Sequence, residues 1–487
     1  MDMKKRRIIS LMLAGAMTAS LAGCGGSGTA ATTAAAKAAE TTKAAEAAKE
    51  TTKEAETARK EKIVIDVWSP DVSDTYYVEQ MIEKFNSTND KGIEIALTTI
   101  SEDYGNMLSL AYTSGTAPDI AIMSAAITSV NVKAFVESGI ILPLNDYIAD
   151  PEFEKATEAS TLRFEGVNAF DGNVYWVPTG MRSGSRIQYN KTLLEEAGYT
   201  EIPDTLEGVV ELADKITKNG NGQYYGVAFP KSAPFVRWLE SVGETSGIYR
   251  YDYTTGTFNF DGYKPLIETA NKFFANESVL PGSTSQGVDA VRALFADGAC
   301  GIWGNASQEA GVFTNQFPIT KFEWGVAELP TLEGGERKGA ESILPIKGYA
   351  MFASTEDKDA AWEVIKYFSS EEFVKGYLEE GLALPISKYM DSIVDKSGIG
   401  RLADFQLTDY ESVYPAVPNV TLEGDNYQIV LWSAIMGEIS ADEAIADLNK
   451  RYNEALENDI KLGKIKRLVI KDYDPLHPSA GTVEYTD

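Results

Sequence analysis

Between residues 63 and 460, short apolar runs of strand length alternate with longer amphipathic segments, and this alternation confines the chain to a narrow set of α/β folds. "IVIDVW" (63–68) reads as a buried strand. Behind it Val78, Met81, Ile82 and Phe85 recur at helical spacing, with Asp74 placed as the N-cap. "IEIALTTI" (93–100) and "PDIAIMS" (118–124) read as the second and third strands. In "DTLEGVVELADKITKNG", Asp204 is placed as N-cap with Glu207 three residues on, and Leu206, Val209, Val210, Ala213 and Ile216 share one face. "YRYDYTTGTFNFD" (249–261) alternates about a Thr-Gly turn and predicts a hairpin. Ser440 and Glu443 form a capping box ahead of an apolar stripe. Strands interleaved with helices predict mainly parallel sheets, and the length beyond residue 62 suffices for two domains.

The first 62 residues follow different rules. Lys4, Lys5, Arg6 and Arg7 precede an apolar stretch of 14 residues, Ile8 to Leu21, too short to span a bilayer but fitting a secretory signal. Leu21-Ala22-Gly23-Cys24 resembles the bacterial lipobox, which implies that a signal peptide (1–23) is removed and Cys24 is lipidated, palmitate included. Two acyl chains on one residue suffice for stable anchoring. Residues 24–62 then form a spacer, and its Ala/Thr/Lys/Glu run from Thr29 to Lys62 has nothing large to bury and a reach of about 50 Å where helical. Past the signal, no apolar run is long enough to cross a membrane, so the lipid is the expected anchor, on the extracellular face of the cell membrane.

Charge and rare residues exclude whole classes. The first 62 residues hold 11 basic and 7 acidic side chains, which leaves 33 and 65 for the remainder, a net −32. Such a surface repels nucleic acid and anionic headgroups. His477, in the C-terminal tail, is the sole histidine, so histidine triads and histidine-rich zinc sites are excluded. Cys300 is the only cysteine after Cys24, so no disulfide framework is expected.

Five segments, in order, resemble the family 1 extracellular solute-binding proteins, the maltose-binding-protein group of ligand-capturing subunits of ATP-binding cassette (ABC) importers. They are "GTAPDIAIMS" (115–124), "YNKTLLEEAGYTEIPDTLEGVVELADKIT" (189–217), "VRALFADGACGIWGNAS" (291–307), "WGVAELPT" (324–331) and "KGYAMFASTEDKDAAWEVIKYFSS" (347–370). The resemblance implies an α/β, two-lobed periplasmic-binding-protein-like fold (type II), with three interlobe crossings and a ligand cleft between the lobes. By motif position the crossings fall near Arg182–Ser185, Val326–Pro330 and Val413–Pro418. Lobe 1 is then 63–182 plus 329–412, lobe 2 is 183–328 plus 413–465, and 466–487 is a tail beyond the match.

A cleft for sugar needs flat aromatics for ring faces and carboxylates, amides or Arg for hydroxyls. On the family frame the candidates are Trp68 and Asp71 after the first strand, Asp119 at the third, and Arg182 at the first crossing. Trp238, Trp303 and Asn305 follow in the second lobe, then Asn426 and Tyr427 in the late segment. Several have plain structural readings: Trp238 lies at core spacing with Phe235 and Val242, Asp71 suits a turn cap, and Asp119 suits backbone amides. Met123, Ala125, Ala126 and Ser183 stand where maltose-binding protein has ligand groups, which points away from maltose itself and leaves the sugar-binding class standing. The expected function is a membrane-tethered, monomeric capture subunit delivering a carbohydrate, an oligosaccharide, to permease transmembrane subunits, with no catalysis, cofactor or metal. The alternatives are a secreted carboxylate-dependent glycoside hydrolase, and a binding protein for a polyamine, a peptide or ferric ion.

Overall fold

β1 (Ile63–Ser69) starts the first sheet with the alternation its sequence dictates: Ile65 and Val67 are buried on one face while Asp66 and Trp68 stay partly exposed on the other. The structure, a computed structural model, describes residues 62–486 apart from positions 73, 126, 128 and 129. Cys24, the signal and most of the spacer lie outside the described residues. β2 (Ile93–Thr99) and β3 (Ile120–Met123) run parallel to β1, with Ile63 opposite Ile93 and Val67 opposite Ile120. The chain then leaves this sheet through β4 (Gly180–Arg182) and enters a second one at β5 (Arg186–Asn190), joined there by β6 (Tyr225–Val227), β7 (Cys300–Asn305) and β8 (Trp324–Ala327). It returns through β9 (Glu341–Ser342) and β10 (Leu344–Ile346) to β11 (Gly348–Met351), which closes the first sheet in the order β11-β3-β1-β2.

The second sheet has the order β8-β5-β7-β6, and only β6 and β7 are parallel; β5 runs antiparallel to both β7 and β8. The expectation of mainly parallel sheets thus holds for the first sheet and fails for the second. A parallel pair needs a long crossover on the same sheet, whereas β5 arrives from the other lobe through a short crossing and is free of that constraint.

Each sheet has its own core. Ile65, Ile120 and Ile122 pack with Trp362 and Ile365 of the helix Lys358–Phe368 and with Phe373 and Tyr377 of the helix Glu371–Glu379. Ile187, Val227 and Ile302 pack under the predicted face of the helix Leu206–Gly220, together with Leu431 and Leu448 of the last two long helices. The chain therefore passes between the cores three times. A further cluster joins them, with Met181, Ile343 and Leu384 against Trp303, Phe313, Trp324 and Phe405.

Local expectations fared unevenly. The hairpin forms, Tyr251–Asp252 pairing with Thr257–Phe258, and Gly256 at φ +69° supplies the left-handed turn residue. The Ser440–Glu443 capping box is present with both bonds. Asp204 is not the cap of its helix; the neighbouring Thr205 accepts the Gly208 N–H at 2.9 Å. Asp74 holds the N-cap position but makes no capping bond, because its carboxylate is engaged by Lys347 and by the Tyr377 hydroxyl at 2.7 Å. The second crossing lies beyond Val326–Pro330. Leu329 and Leu332 are held by the second core, Thr331 bonds Asp204 and Leu206, and Lys338 still bonds Thr245.

Candidate functional site

The carboxyl ends of β1 and β3 meet the antiparallel pair β4–β10, a place where open α/β sheets offer a crevice. The Ala125 N–H donates to the Pro345 carbonyl at 3.0 Å, and both the N–H and the hydroxyl of Thr179 reach the Lys347 carbonyl. Lys347, between β10 and β11, is 2 % exposed and sits at φ +59°, a conformation costly for a side chain of this kind. Its ammonium is held by Asp71 at 3.2 Å and by Asp74, and these carboxylates keep its pKa raised against burial. Asp71 remains partly exposed at the rim of this buried group. Trp68 is half-buried, on the Tyr104–Met123 face of the sheet. Arg182 is half-buried, in register with Leu344, and its guanidinium has no hydrogen bond or ion pair among the described residues.

The second lobe meets this edge at the end of β7, where the Ser307 hydroxyl accepts the Ser183 N–H at 3.2 Å. Glu309, fully buried, organises that end. Arg292 forks onto it, with Nε 3.2 Å from both oxygens, while the Trp303 indole N–H (3.2 Å) and the Asn305 amide (2.7 Å) fill its remaining lone pairs. Arg237 lies near this network and donates to the Ser232 carbonyl at 3.3 Å; burial, then repulsion from Arg292, lowers its pKa to about 10.

Between the lobes, β9 and β12 (Glu411–Ser412) pair in parallel and bring two carboxylates onto one guanidinium. Arg186 is 3.1 Å from Glu411 and 3.7 Å from Glu341, all three side chains being almost wholly buried. Glu411 also accepts the Gly184 N–H, and Glu341 the Ser185 N–H. Arg186 is held raised by its two acids, yet Glu341 is pushed up to about 7, because burial outweighs an arginine it shares with the closer Glu411. Glu244 accepts the Ser342 N–H at 2.9 Å and is likewise raised, by burial and then by Glu240. A side chain at Gly184 would run into the Glu341 carboxylate, so that crossing requires glycine.

The structure thus gathers Trp68, Asp71, Arg182 and Asn305 along one edge, and it corrects the rest. Trp303 is 0 % exposed, with its N–H taken by Glu309, so no face is offered to a ligand. Trp238 is also enclosed; it stacks on Phe229 (6.0 Å, 4°) and covers Gly304. Asp119 sits at the amino end of β3 and accepts the Asp66 N–H at 2.9 Å, a sheet-locking role. Asn426 caps the helix Tyr427–Met436, and Tyr427 donates to Glu240 beneath Arg250. Asn305 is gathered at the edge but its amide is spent on Glu309 and Gln308. Sequence reading missed Lys347, Glu309 and the Arg186–Glu341–Glu411 group. A lysine ending "ILPIK" inside a strand run was the one available signal; the others become visible only when distant segments meet.

Among the described residues no group of three or more His, Cys, Asp or Glu is placed to hold a metal ion. A cavity of about 190 Å³ lined by Ile248, Pro265, Thr331 and Lys338 shares no residue with the gathered edge.

Residues 69–375 match the family described as bacterial extracellular solute-binding protein. A maltotriose-binding protein of Pyrococcus abyssi is 24% identical over 364 residues, covering 73% of each chain. A galactooligosaccharide-binding protein of Bacillus subtilis is 24% identical over 262 residues, 51% of this chain and 58% of that one. Among solved structures, the GacH receptor of Streptomyces glaucescens GLA.O, studied unliganded and with acarbose, superposes with TM-score 0.64 at 18% identity, over 82% of this chain and 99% of its own. The maltose/maltodextrin-binding domain MalE from Bdellovibrio bacteriovorus, bound to maltotriose, gives 0.62 at 19%, over 82% and 100%. The fold is the two-lobed, maltose-binding-protein-like α/β fold.

Proposed function

Because the chain belongs to the bacterial extracellular solute-binding protein family, we propose that it is the capture subunit of an ABC importer, binding an oligosaccharide between its lobes and passing it to permease subunits. The observation that carries this reading is Arg182: a half-buried guanidinium at the first crossing, opposite Leu344, with no hydrogen bond or ion pair among the described residues. A forked donor left unpaired there suits vicinal hydroxyls, and the half-buried Trp68 ring suits a sugar face. Asp71, held at the rim by Lys347, adds an acceptor. Two curated relatives named for oligosaccharides support the ligand class. The lobes of this reading are 63–182 plus 329–412 and 183–328 plus 413–465, modified by the later second crossing described above.

The site takes hydroxyl-rich ligand and returns it unchanged, as a monomer needing no metal or cofactor. Tethering through lipidated Cys24 and the spacer places the body about a molecule's width outside the membrane; no helix among the described residues is long and apolar enough to cross one.

The test is a thermal-shift screen of the purified protein against neutral mono- and oligosaccharides, followed by calorimetry and chromatography of the recovered sugar. At about 100 times Kd a single site adds about 2.7 kcal/mol of stability. Absence of a shift with every carbohydrate, or recovery of shortened sugars, removes the proposal. For the anchor, Cys24→Ser is expected to move the protein out of the membrane pellet or leave the signal uncut; a variant processed and pelleted like wild type removes that part.

A further inference from the structure

Beyond residue 62 the chain has 65 acidic side chains for 33 basic ones, so an arginine has carboxylates to spare. Among the described residues, arginines that are not fully exposed do pair: Arg250 lies 2.6 Å from Glu240, Arg451 lies 2.5 Å from Asp447, and Arg292 is forked onto Glu309. Two depart from this pattern. Arg182 and Arg237 are half-buried and have no ion pair among the described residues.

Both stand at one edge of the second sheet. Arg182 ends β4, and the next residue, Ser183, donates its N–H to the Ser307 hydroxyl at 3.2 Å, two residues past the end of β7. Met181 is turned into the apolar cluster between the lobes, so strand alternation puts Arg182 on the opposite face. There it stands beside its cross-strand neighbour Leu344, which is 37 % exposed. Arg237 ends the short helical turn Phe235–Arg237, in the segment that leaves the carboxyl end of β6, the parallel neighbour of β7. The next residue, Trp238, fills the space over Gly304, one residue before the end of β7. The Arg237 Nε–H turns back to the Ser232 carbonyl at 3.3 Å, which leaves both terminal amino groups of the fork without a hydrogen bond among the described residues. Lys231, in the same segment, is exposed and has no ion pair among them either.

A half-buried guanidinium without an anion has lost hydration that nothing repays. The carboxylates already described along this edge are spent: Asp71 is 3.2 Å from Lys347, and Glu309 takes Arg292, Trp303 and Asn305. The lowered pKa of Arg237 agrees with an uncompensated charge, since burial and then Arg292 outweigh Glu309 there. A planar fork accepts a carboxylate through two parallel bonds, each stronger than one to a neutral hydroxyl. We infer that the ligand captured at this edge is an acidic oligosaccharide, one whose sugars carry carboxylates, received by Arg182 at the first crossing and Arg237 on the second lobe. This rests on the capture reading above and names its ligand class. Neutral sugars are disfavoured by the same feature, because enclosing them would dry two cations and pair neither.

The test is calorimetric titration of the purified protein with trimers of galacturonate, mannuronate and glucuronate, each beside the neutral trimer made by reducing its carboxyl groups. At least one uronate is expected to bind about tenfold or more tighter than its neutral counterpart, the factor for one charge-assisted hydrogen bond. Arg237→Met is expected to remove most of that ratio, and Arg237→Lys, which keeps the charge without the fork, to retain part of it. The ligand-free Arg237→Met protein is expected to unfold at no lower urea concentration than wild type, since the cation it loses is uncompensated. Ratios near one for all three pairs, with neutral trimers bound, overturn the acidic ligand and leave the capture reading standing. Binding of no carbohydrate, charged or neutral, removes the capture reading and this inference with it. An Arg237→Met protein that keeps the full ratio, or that loses stability and keeps its affinity for the uronate, overturns the assignment of Arg237.

Discussion

Arg182 ends β4, Lys347 directly follows its antiparallel partner β10, and the two meet opposite electrostatic conditions. Lys347 is buried and satisfied by two carboxylates, whereas Arg182 is half-buried and has none among the described residues. Removing a satisfied buried charge would wreck its partners; removing an unsatisfied one affects mainly whatever it is there to bind. Arg182→Met is therefore expected to weaken oligosaccharide binding by ~1.5–3 kcal/mol, the scale of a charged hydrogen bond, with an unchanged unfolding midpoint. Calorimetric titration beside a urea melt separates the two effects, and a loss of stability without a loss of affinity would return Arg182 to structure. Trp303 is the reverse case. Full burial and its bond to Glu309 make Trp303→Ala a cavity mutation, expected to cost ~3–5 kcal/mol of stability by urea unfolding. Glu341 adds a pH signature. Its carboxyl ordinarily titrates near 4.5 and is raised to about 7 in the fold, so the folded state holds the proton more tightly. Its contribution is complete below about 4.5 and is lost as pH rises through about 7. The charged groups facing it are Arg186, Glu411 and Glu244. Glu341→Gln is expected to flatten the fall of the urea midpoint between pH 5 and 7 relative to wild type; parallel profiles would assign that slope to other groups.

Elements whose signals are local were legible. The face of Leu206–Gly220, the Ser440 box and the 251–258 hairpin depend on residues within a turn or two of each other, and each formed as its spacing dictates. Elements defined by distant partners were not. Nothing local distinguishes Asp74 the helix cap from Asp74 the partner of Lys347, which follows 273 residues later. Strand direction in the second sheet escaped for the same reason, because it depends on how β5 enters from another lobe. Of the candidate site, Trp68, Asp71 and Arg182 could be nominated because they end or follow strands or flank a crossing; ligand contact at each belongs to the proposal. Trp238 and Trp303 misled because aromatic content marks core and cleft alike. At Asp204-Thr205 two residues compete for one cap, and the bond goes to Thr205, whose extended backbone (φ −110°, ψ 145°) aims its oxygen at the Gly208 N–H. Thr205→Ala should lower stability by ~1 kcal/mol in urea melts, the usual worth of such a cap, and Asp204→Ala by much less. Equal losses would show that both side chains cap.

On the scale of the whole molecule, two cores and three passages make relative motion of the lobes the natural low-energy response to a ligand. The lobes share an apolar cluster around Met181 and Trp303 and a buried ionic group around Arg186, while each sheet keeps its own helices. A lobe therefore keeps its fold when the other moves. Ligand resting on one lobe would leave hydroxyls facing water; closure replaces that water with groups of the opposite lobe, and only such differential contact can shift the population toward the closed form. Gly184 is the point where this motion meets the buried charges, since its N–H is held by Glu411 and the space of an absent side chain is filled by Glu341. Closure on a ligand is therefore expected to pivot about this ionic group, with the lobes turning on either side of it. Small-angle scattering on the purified protein is expected to give a smaller radius of gyration when the oligosaccharide found by screening is saturating. Gly184→Ala, which forces the Glu341 carboxylate out of place, should reduce that change and raise Kd although it touches no ligand. A radius that ligand leaves unaltered would exclude closure, and a Gly184→Ala protein that closes and binds like wild type would move the pivot elsewhere.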